Sequence, residues 1–155
     1  PSACNRDGCV ISGVPFCGGD VGGFMENTTP ELFTRWFQFA TFTPFFRNHS
    51  NLGTIDQEPW AFGGETEEIC RTYLGLRYQL LPYLYSLFAE ARATGAPIMR
   101  PLWWQHQNDP VAVACGDQFL LGLLDLRGDR AIRGEGGFQR AGAALHIVDM
   151  HDLCP

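Results

Sequence analysis

The feature that most constrains the fold is a stretch of about thirty residues with the apolar spacing of a long helix. Over residues 65–94, apolar side chains recur at helical intervals and cover a broad face. A helix with so wide an apolar face must be buried against something large. Gly95 and Pro97 predict the end of the helix, and Pro82 predicts a kink within it.

Two shorter apolar runs precede this helix, and each has the character of a buried strand. Residues 13–20 and 44–49 both end in glycine or polar groups, as buried parallel strands do where they enter functional loops. A helix is predicted between them at 30–41, because Thr28 begins a capping-box pattern and apolar residues follow at helical spacing. The order strand, helix, strand, helix predicts an α/β fold with parallel strands and crossover helices.

Composition excludes several classes of protein. The 155 residues carry a net charge of −6, and the 11 basic residues, all Arg, are scattered along the chain. A nucleic-acid partner is therefore not expected, since it needs a clustered basic face. The aromatic content of 13% and the charged content of 18% do not fit a disordered chain. No apolar run reaches the ~18 residues that a membrane-spanning helix requires, so no membrane partner is expected.

The cysteine pattern does not indicate a metal centre. The six cysteines form no C-x-x-C pair, and no His lies at zinc-finger spacing from two of them. They do not resemble the disulfide framework of a short secreted chain either. We therefore expect free thiols, several of them buried, with no metal and no organic cofactor. The pattern leaves the cellular compartment undecided.

Polar groups and glycines follow both predicted strands. Asp20 lies in the first cluster, and Arg47 and His49 lie in the second. Because functional residues of β/α folds sit at the carboxyl ends of the strands, we expect Asp20 and His49 to face the same side. Phe24 and Trp60 are candidates for the walls of a pocket there. Hydrogen-bonding groups beside flat aromatic faces favour a polyhydroxylated ligand such as a sugar.

Each of these residues also has a purely structural interpretation. Asp20 is as well explained by a pair with Arg47, or by capping of the glycine loop, as by a role in binding. His49 also fits a structural loop histidine. The aromatic-rich run at 33–46 is more typical of a core than of a ligand stack. The glycines at 18–23 do not have the G-x-G-x-x-G spacing of a dinucleotide site, because Asp20 interrupts it.

The clusters also carry a family resemblance. The sequence GVPFCGGDVGGF at 13–24 resembles the G-x-P-x-x-G-x-D-x-G-G-F signature of glycoside hydrolase family 31, the α-glucosidase family. Order and spacing agree with that family across residues 13–122. In the next helix, Glu31-Leu32, Arg35-Trp36 and Gln38 resemble the family pattern. The other matching segments are PFFRNH at 44–49, QEPW at 57–60, LRYQLLPYLY at 76–85, RPL at 100–102 and DQFLLG at 117–122.

The resemblance implies an architecture. It implies the C-terminal part of a (β/α)8 TIM barrel, with the last two β/α units at 13–96 and the start of the C-terminal β region, a β-sandwich, at 97–122. Residues 1–12 and 123–155 do not match the family pattern. The chain is therefore expected to be a fragment, because two units cannot close an eight-stranded barrel.

The resemblance also implies a chemistry. Members of the family hydrolyse α-linked glycosides with retention, which needs a nucleophile and a general acid/base about 5–5.5 Å apart. In the family both are aspartates in W-x-D-M-N-E-P and G-D-N motifs on earlier strands, and neither motif occurs in its expected place here. We therefore expect no catalytic residue in this chain and no hydrolysis by the chain alone.

The resemblance assigns supporting roles to four residues. It implies that His49 hydrogen-bonds the sugar at the cleaved bond, that Phe24 lines the same subsite, and that Asp20 and Arg47 are polar neighbours that orient the site. The implied partners are an α-linked glucoside or oligosaccharide and the rest of the barrel. Two alternatives remain: a non-catalytic carbohydrate-binding module and an inactive truncated remnant.

Overall fold

Two helices and the segments that lead into them form most of the fold, and a small antiparallel sheet follows. The computed structural model describes residues 12–116, 118–122 and 124–125. The predicted segments 1–12 and 123–155 therefore lie almost entirely outside the described residues. The elements are α1 (Pro30–Ala40), a 3₁₀ turn (Pro59–Phe62), α2 (Gly64–Thr94), β1 (Met99–Pro101), a second 3₁₀ turn (Leu102–Trp104), α3 (Pro110–Ala114), β2 (Phe119–Leu121) and β3 (Leu124–Asp125).

Helix α1 confirms the helix predicted at 30–41, although its cap is one residue later than expected. Thr29 is the N-cap, and its hydroxyl accepts a hydrogen bond from the Leu32 amide at 3.2 Å. Pro30 occupies the first helical position, where its missing N–H costs nothing. The predicted capping box on Thr28 is wrong, because the Thr28 hydroxyl donates to the Thr29 carbonyl instead.

The two predicted strands run parallel and adjacent, as expected, but they do not form regular strands. A single parallel bridge joins Asp20 to Arg47. The Phe45 amide donates to the Cys17 carbonyl at 3.1 Å, and the Val21 amide donates to the Arg47 carbonyl at 2.9 Å. These two backbone hydrogen bonds are too few for the ladder of a regular parallel sheet.

Helix α2 confirms the long helix and its predicted end. It continues through Pro82, and Gly95 terminates it in the left-handed conformation with φ 75°. The Gly95 amide donates to the Ala91 carbonyl at 2.9 Å, which satisfies one of the last carbonyls of the helix. No helix in the described part of the chain is both long and apolar enough to cross a membrane.

The apolar face of α2 is only partly covered. Its first half packs on α1, where Cys70 joins Phe33, Phe37 and Val21 in a buried cluster. A second row of large side chains on the same helix is exposed, so the expectation of a fully buried face is not met within the described residues. That row consists of Leu74, Tyr78, Leu81 and Tyr85.

The small sheet packs on the second half of α2. Its order is β1-β2-β3, with both pairs antiparallel. Leu84 and Leu87 from the helix form a buried cluster with Ile98 and Leu121. The short helix α3 was not predicted from the sequence, which indicated only extended segments and turns in this region. The start of a β-sandwich at 97–122 stays a prediction.

Candidate functional site

The first pair of predicted site residues, Asp20 and Arg47, forms an ion pair. Arg47 donates to Asp20 Oδ1 from Nε at 2.8 Å and from Nη2 at 2.6 Å. The Arg47 guanidinium also lies over the Phe45 ring, 5.0 Å from its centroid. The Arg47 side chain is 50% exposed, so the pair adds little stability and mainly fixes where two side chains point. One of the structural interpretations of Asp20, pairing with Arg47, is therefore what the structure contains.

The second pair, Phe24 and His49, lies on the same two loops. The ring centroids are 5.4 Å apart with an interplanar angle of 33°. Both residues are exposed, so part of each ring is open to solvent. The backbone bridge between Asp20 and Arg47 places the two pairs within a few residues of each other. All four predicted binding residues therefore come together on one end of the parallel segments.

The other aromatic candidates behave differently. Trp60 lies on the 3₁₀ turn and is 68% exposed, but in the described part of the chain the structure gives it no ring contact with Phe24 or His49. The aromatic run at 33–46 contributes to the core, as predicted, with Phe33 and Phe37 buried. Phe33 stacks on Phe62 at 4.5 Å, which holds the 3₁₀ turn against α1.

These parallel segments, with paired polar and aromatic groups at their carboxyl ends, have the character of a β/α barrel. Residues 8–87 match the model of the glycosyl hydrolases family 31 TIM-barrel domain. The chain belongs to glycoside hydrolase family 31. It contains part of a (β/α)8 barrel, and its relatives are α-glucosidases, which are glycoside hydrolases.

Two curated relatives show how much of a family 31 enzyme the chain represents. It is 56% identical over 112 residues to Alpha-glucosidase 2 of Bacillus thermoamyloliquefaciens, covering 72% of this chain and 14% of that protein. It is 47% identical over 112 residues to Neutral alpha-glucosidase AB of Homo sapiens, covering 72% of this chain and 12% of that protein. The chain therefore spans about one-eighth of the length of these family 31 relatives.

Solved family 31 structures agree with the fold. The glucosidase II alpha subunit in its DNJ-bound form matches with a TM-score of 0.71 and 39% identity, over 74% of this chain and 12% of that one. The Family 31 alpha-glucosidase from Bacteroides thetaiotaomicron matches with a TM-score of 0.68 and 45% identity, over 72% of this chain and 19% of that one.

Two further family 31 motifs provide contacts that the sequence analysis did not predict. Gln57, from the QEPW motif, is buried beside the glycine loop that leads to Phe24. Arg77, from the LRYQLLPYLY motif, is buried against the connection between α1 and the second parallel segment. In the sequence, both motifs indicate the family but not these contacts. No local sequence signal marks either residue, because each motif also contains a second polar side chain, Glu58 in the first and Gln79 in the second.

Arg77 fixes the start of the segment that carries Arg47 and His49. Its guanidinium donates to the carbonyl of Thr41 at 2.9 Å, to the carbonyl of Thr43, and to that of Pro44 at 2.8 Å. Burial lowers the pKa of Arg77, although the group stays charged at any pH that a folded protein tolerates. Helix α2 thus holds three carbonyls that α1 and the following turn leave without helical partners.

Among the described residues, the remaining titratable groups form no metal centre, and the Cys70 thiol is buried. The described residues contain no group of three or more His, Cys, Asp or Glu side chains placed to hold a metal ion. Burial raises the pKa of the Cys70 thiol to about 11, so this cysteine is a packing residue rather than a nucleophile. Cys4, Cys9 and Cys154 lie outside the described residues.

Proposed function

We propose that this chain is a part of a retaining α-glucosidase and supplies one wall of its sugar-binding pocket. The observation that carries the proposal is the meeting of Phe24 with His49 beside the Asp20–Arg47 pair, at one end of two parallel segments of a family 31 barrel. The α-glucosidase names of the relatives support an α-linked glucoside or oligosaccharide as the substrate.

Each of the four residues has a role that its chemistry permits. His49 forms a hydrogen bond with a sugar hydroxyl. The exposed Phe24 ring packs on the C–H face of the same sugar ring. Asp20 accepts two hydrogen bonds from Arg47, so we assign it to positioning of the loops and not to nucleophilic attack.

In this proposal, the nucleophile and the general acid/base belong to other parts of the enzyme. Retention requires two carboxyl groups about 5–5.5 Å apart, and the family motifs that carry them do not occur in their expected places in this sequence. The chain then provides the last two β/α units of the barrel at 13–96, and residues 97–122 begin the following β-sandwich. The chain supplies residues of the pocket wall, and alone it does not hydrolyse a glycoside.

A chimera tests this proposal. The 112 matched residues of this chain replace the corresponding segment of the Bacillus thermoamyloliquefaciens α-glucosidase, which is 56% identical there. We expect the chimera to hydrolyse p-nitrophenyl α-glucoside, while the isolated chain gives nothing above background. His49→Ala in the chimera should lower kcat/KM about tenfold to a hundredfold, because it removes a hydrogen bond that orients the substrate.

The controls separate folding from function. Gln79→Glu changes an exposed residue of α2 and should leave kcat/KM within about twofold of the chimera. A chimera that melts cooperatively but lacks α-glucosidase activity would contradict the proposal. An active chimera in which His49→Ala changes nothing would remove His49 from the pocket.

A further inference from the structure

The QEPW motif places one amide side chain in an unusual position. Gln57 is only 5% exposed, although it lies in the long loop between the second parallel segment and α2. Its Oε1 has no hydrogen-bond partner among the described residues. A buried amide costs free energy unless its contacts offset that cost, so the position of Gln57 calls for a physical role.

On one side, Gln57 contacts the loop that carries Phe24. Its Nε2 donates to the Gly23 carbonyl at 3.4 Å. A Cβ added to Gly22 would lie 2.7 Å from Gln57 Oε1, and Gly22 has a φ of +84°, so only glycine lets the loop pack this closely. The backbone immediately before Phe24 therefore rests on the Gln57 amide.

On the other side, Gln57 holds the residue between Arg47 and His49. Asn48 donates from Nδ2 to the main-chain carbonyl of Gln57 at 2.6 Å, a short hydrogen bond between two segments nine residues apart. The Asn51 amide donates to the Phe24 carbonyl at 2.8 Å. This hydrogen bond joins the loop after the second parallel segment to the glycine loop that carries Phe24. Gln57 is thus in contact with the neighbours of both rings.

We propose that Gln57 is a positioning residue that sets the spacing of Phe24 and His49 in the sugar pocket. This inference rests on the proposed function, since it assigns a role within the same site. Gln57 touches no substrate. Its side chain acts through Gly23 on Phe24, and its main-chain carbonyl acts through Asn48 on His49. Displacements of such rings by about 1 Å are enough to cost a hundredfold in rate.

Gln57→Glu in the chimera is the sharpest test, because the new side chain has the same shape and loses only the amide donor. The carboxylate then faces the Gly23 carbonyl and repels it. We expect kcat/KM on p-nitrophenyl α-glucoside to fall at least tenfold at pH 7.5, while the same change at the exposed Gln79 has no effect. The loss should shrink as the pH falls, since a protonated carboxyl again donates to that carbonyl.

A double-mutant cycle separates positioning from general stability. If Gln57 acts by positioning the ring of Phe24, Gln57→Glu should lose most of its effect on kcat/KM in a Phe24→Ala background. Both substitutions then remove the same ring contact with the sugar, so their effects do not add. Additive losses, or a Gln57→Glu variant within twofold of the Gln79→Glu control, would overturn the inference. If Gln57→Glu does not fold, Asn48→Asp decides, because it breaks the second link at an exposed residue.

The same data distinguish this inference from the proposed function. Should Phe24→Ala and His49→Ala leave the kinetics of an active chimera unchanged, the pocket assignment itself is wrong and the inference falls with it. Should both lower kcat/KM while Gln57→Glu and Asn48→Asp do not, the pocket stands and only the role of Gln57 is overturned.

Discussion

At the scale of single residues, glycines decide how closely the two parallel segments approach. A Cβ at Gly18 would clash with the backbone carbonyl of Phe45. Phe45 is also the residue whose amide donates a hydrogen bond to the Cys17 carbonyl. Backbone atoms cannot move aside as a flexible side chain does. The spacing of the segments that carry Asp20 and Arg47 thus depends on a missing side chain.

Gly18→Ala should therefore destabilise the chimera and lower its activity. We expect a loss of about 1–3 kcal/mol in the free energy of unfolding, since overpacking against backbone forces the segments apart. Gly75 is the matched control, because it lies inside α2 with open space around its Cα. Gly75→Ala should raise stability by about 0.5–1 kcal/mol. Thermal unfolding measures both, and equal effects of the two substitutions would contradict this interpretation.

At the scale of elements, α2 acts as the support for the segment that carries Arg47 and His49. Arg77 reaches from the helix to the carbonyls of Thr41, Thr43 and Pro44. Its guanidinium also lies 5.5 Å from the centroid of Phe46. A single side chain therefore joins the end of α1, the turn after it and the second parallel segment.

Arg77→Met should cost the chimera about 3 kcal/mol or more of unfolding free energy, because it leaves several buried carbonyls without a donor. Arg71→Met is the control on the same helix. The Arg71 side chain is 68% exposed and pairs with Glu67 at i, i+4, so its loss should cost at most about 0.5 kcal/mol. Chemical denaturation compares the two. A loss at Arg77 no larger than that at Arg71 would refute the supporting role.

The buried thiol on α2 predicts a pH dependence of stability. Burial raises the pKa of Cys70 to about 11, above its value of about 9 in the unfolded chain. The folded state therefore keeps its proton where the unfolded state loses it, and stability should decline as the pH rises from 9 to 11. Burial also raises the pKa of the nearby Tyr73, which acts in the same direction.

Cys70→Ala should remove part of that alkaline decline. The measurement is the unfolding free energy of the chimera at several pH values from 7 to 11, with and without the substitution. At pH 7 the variant loses only a little packing, and the difference between the two proteins should narrow toward pH 11. Parallel curves over the whole range would show that the thiol does not titrate as proposed.

At the scale of the whole molecule, the described residues expose a row of large side chains that a folded enzyme would cover. Tyr85 is 79% exposed, and Leu74, Tyr78 and Leu81 lie on the same side of α2. The two parallel segments that carry Asp20 and Arg47 are a pair and not a closed barrel. Both features fit a piece of a barrel whose remaining elements cover these surfaces, as the proposed function requires.

Expressed alone, the chain should therefore aggregate or behave as a molten globule. We expect strong binding of the dye ANS and a broad melting transition, with size-exclusion chromatography showing species larger than a monomer. Replacing Leu81 and Tyr85 together by Gln should reduce aggregation of the isolated chain. The same pair of changes should destabilise the chimera, where we expect the rest of the barrel to cover that face. A soluble monomer with a sharp cooperative melt would contradict this expectation.

The sequence by itself determined the two main helices, the order of the parallel segments and these helices, and the family. Apolar periodicity and turn residues are local properties, so they located α1 and α2 and the end of α2 at Gly95. The motifs also identified the four residues that come together at one end of the parallel segments. Each of these inferences depends on residues close together in the chain.

Only the tertiary structure decided which distant groups support the site. Nothing local in the sequence shows that Gln57 is buried beneath the glycine loop or that Arg77 reaches three carbonyls more than thirty residues away. The predicted cap on Thr28 was wrong because the choice between adjacent hydroxyls depends on backbone geometry. Burial and hydrogen-bond partners are properties of the packed chain, since they depend on which segments meet in space.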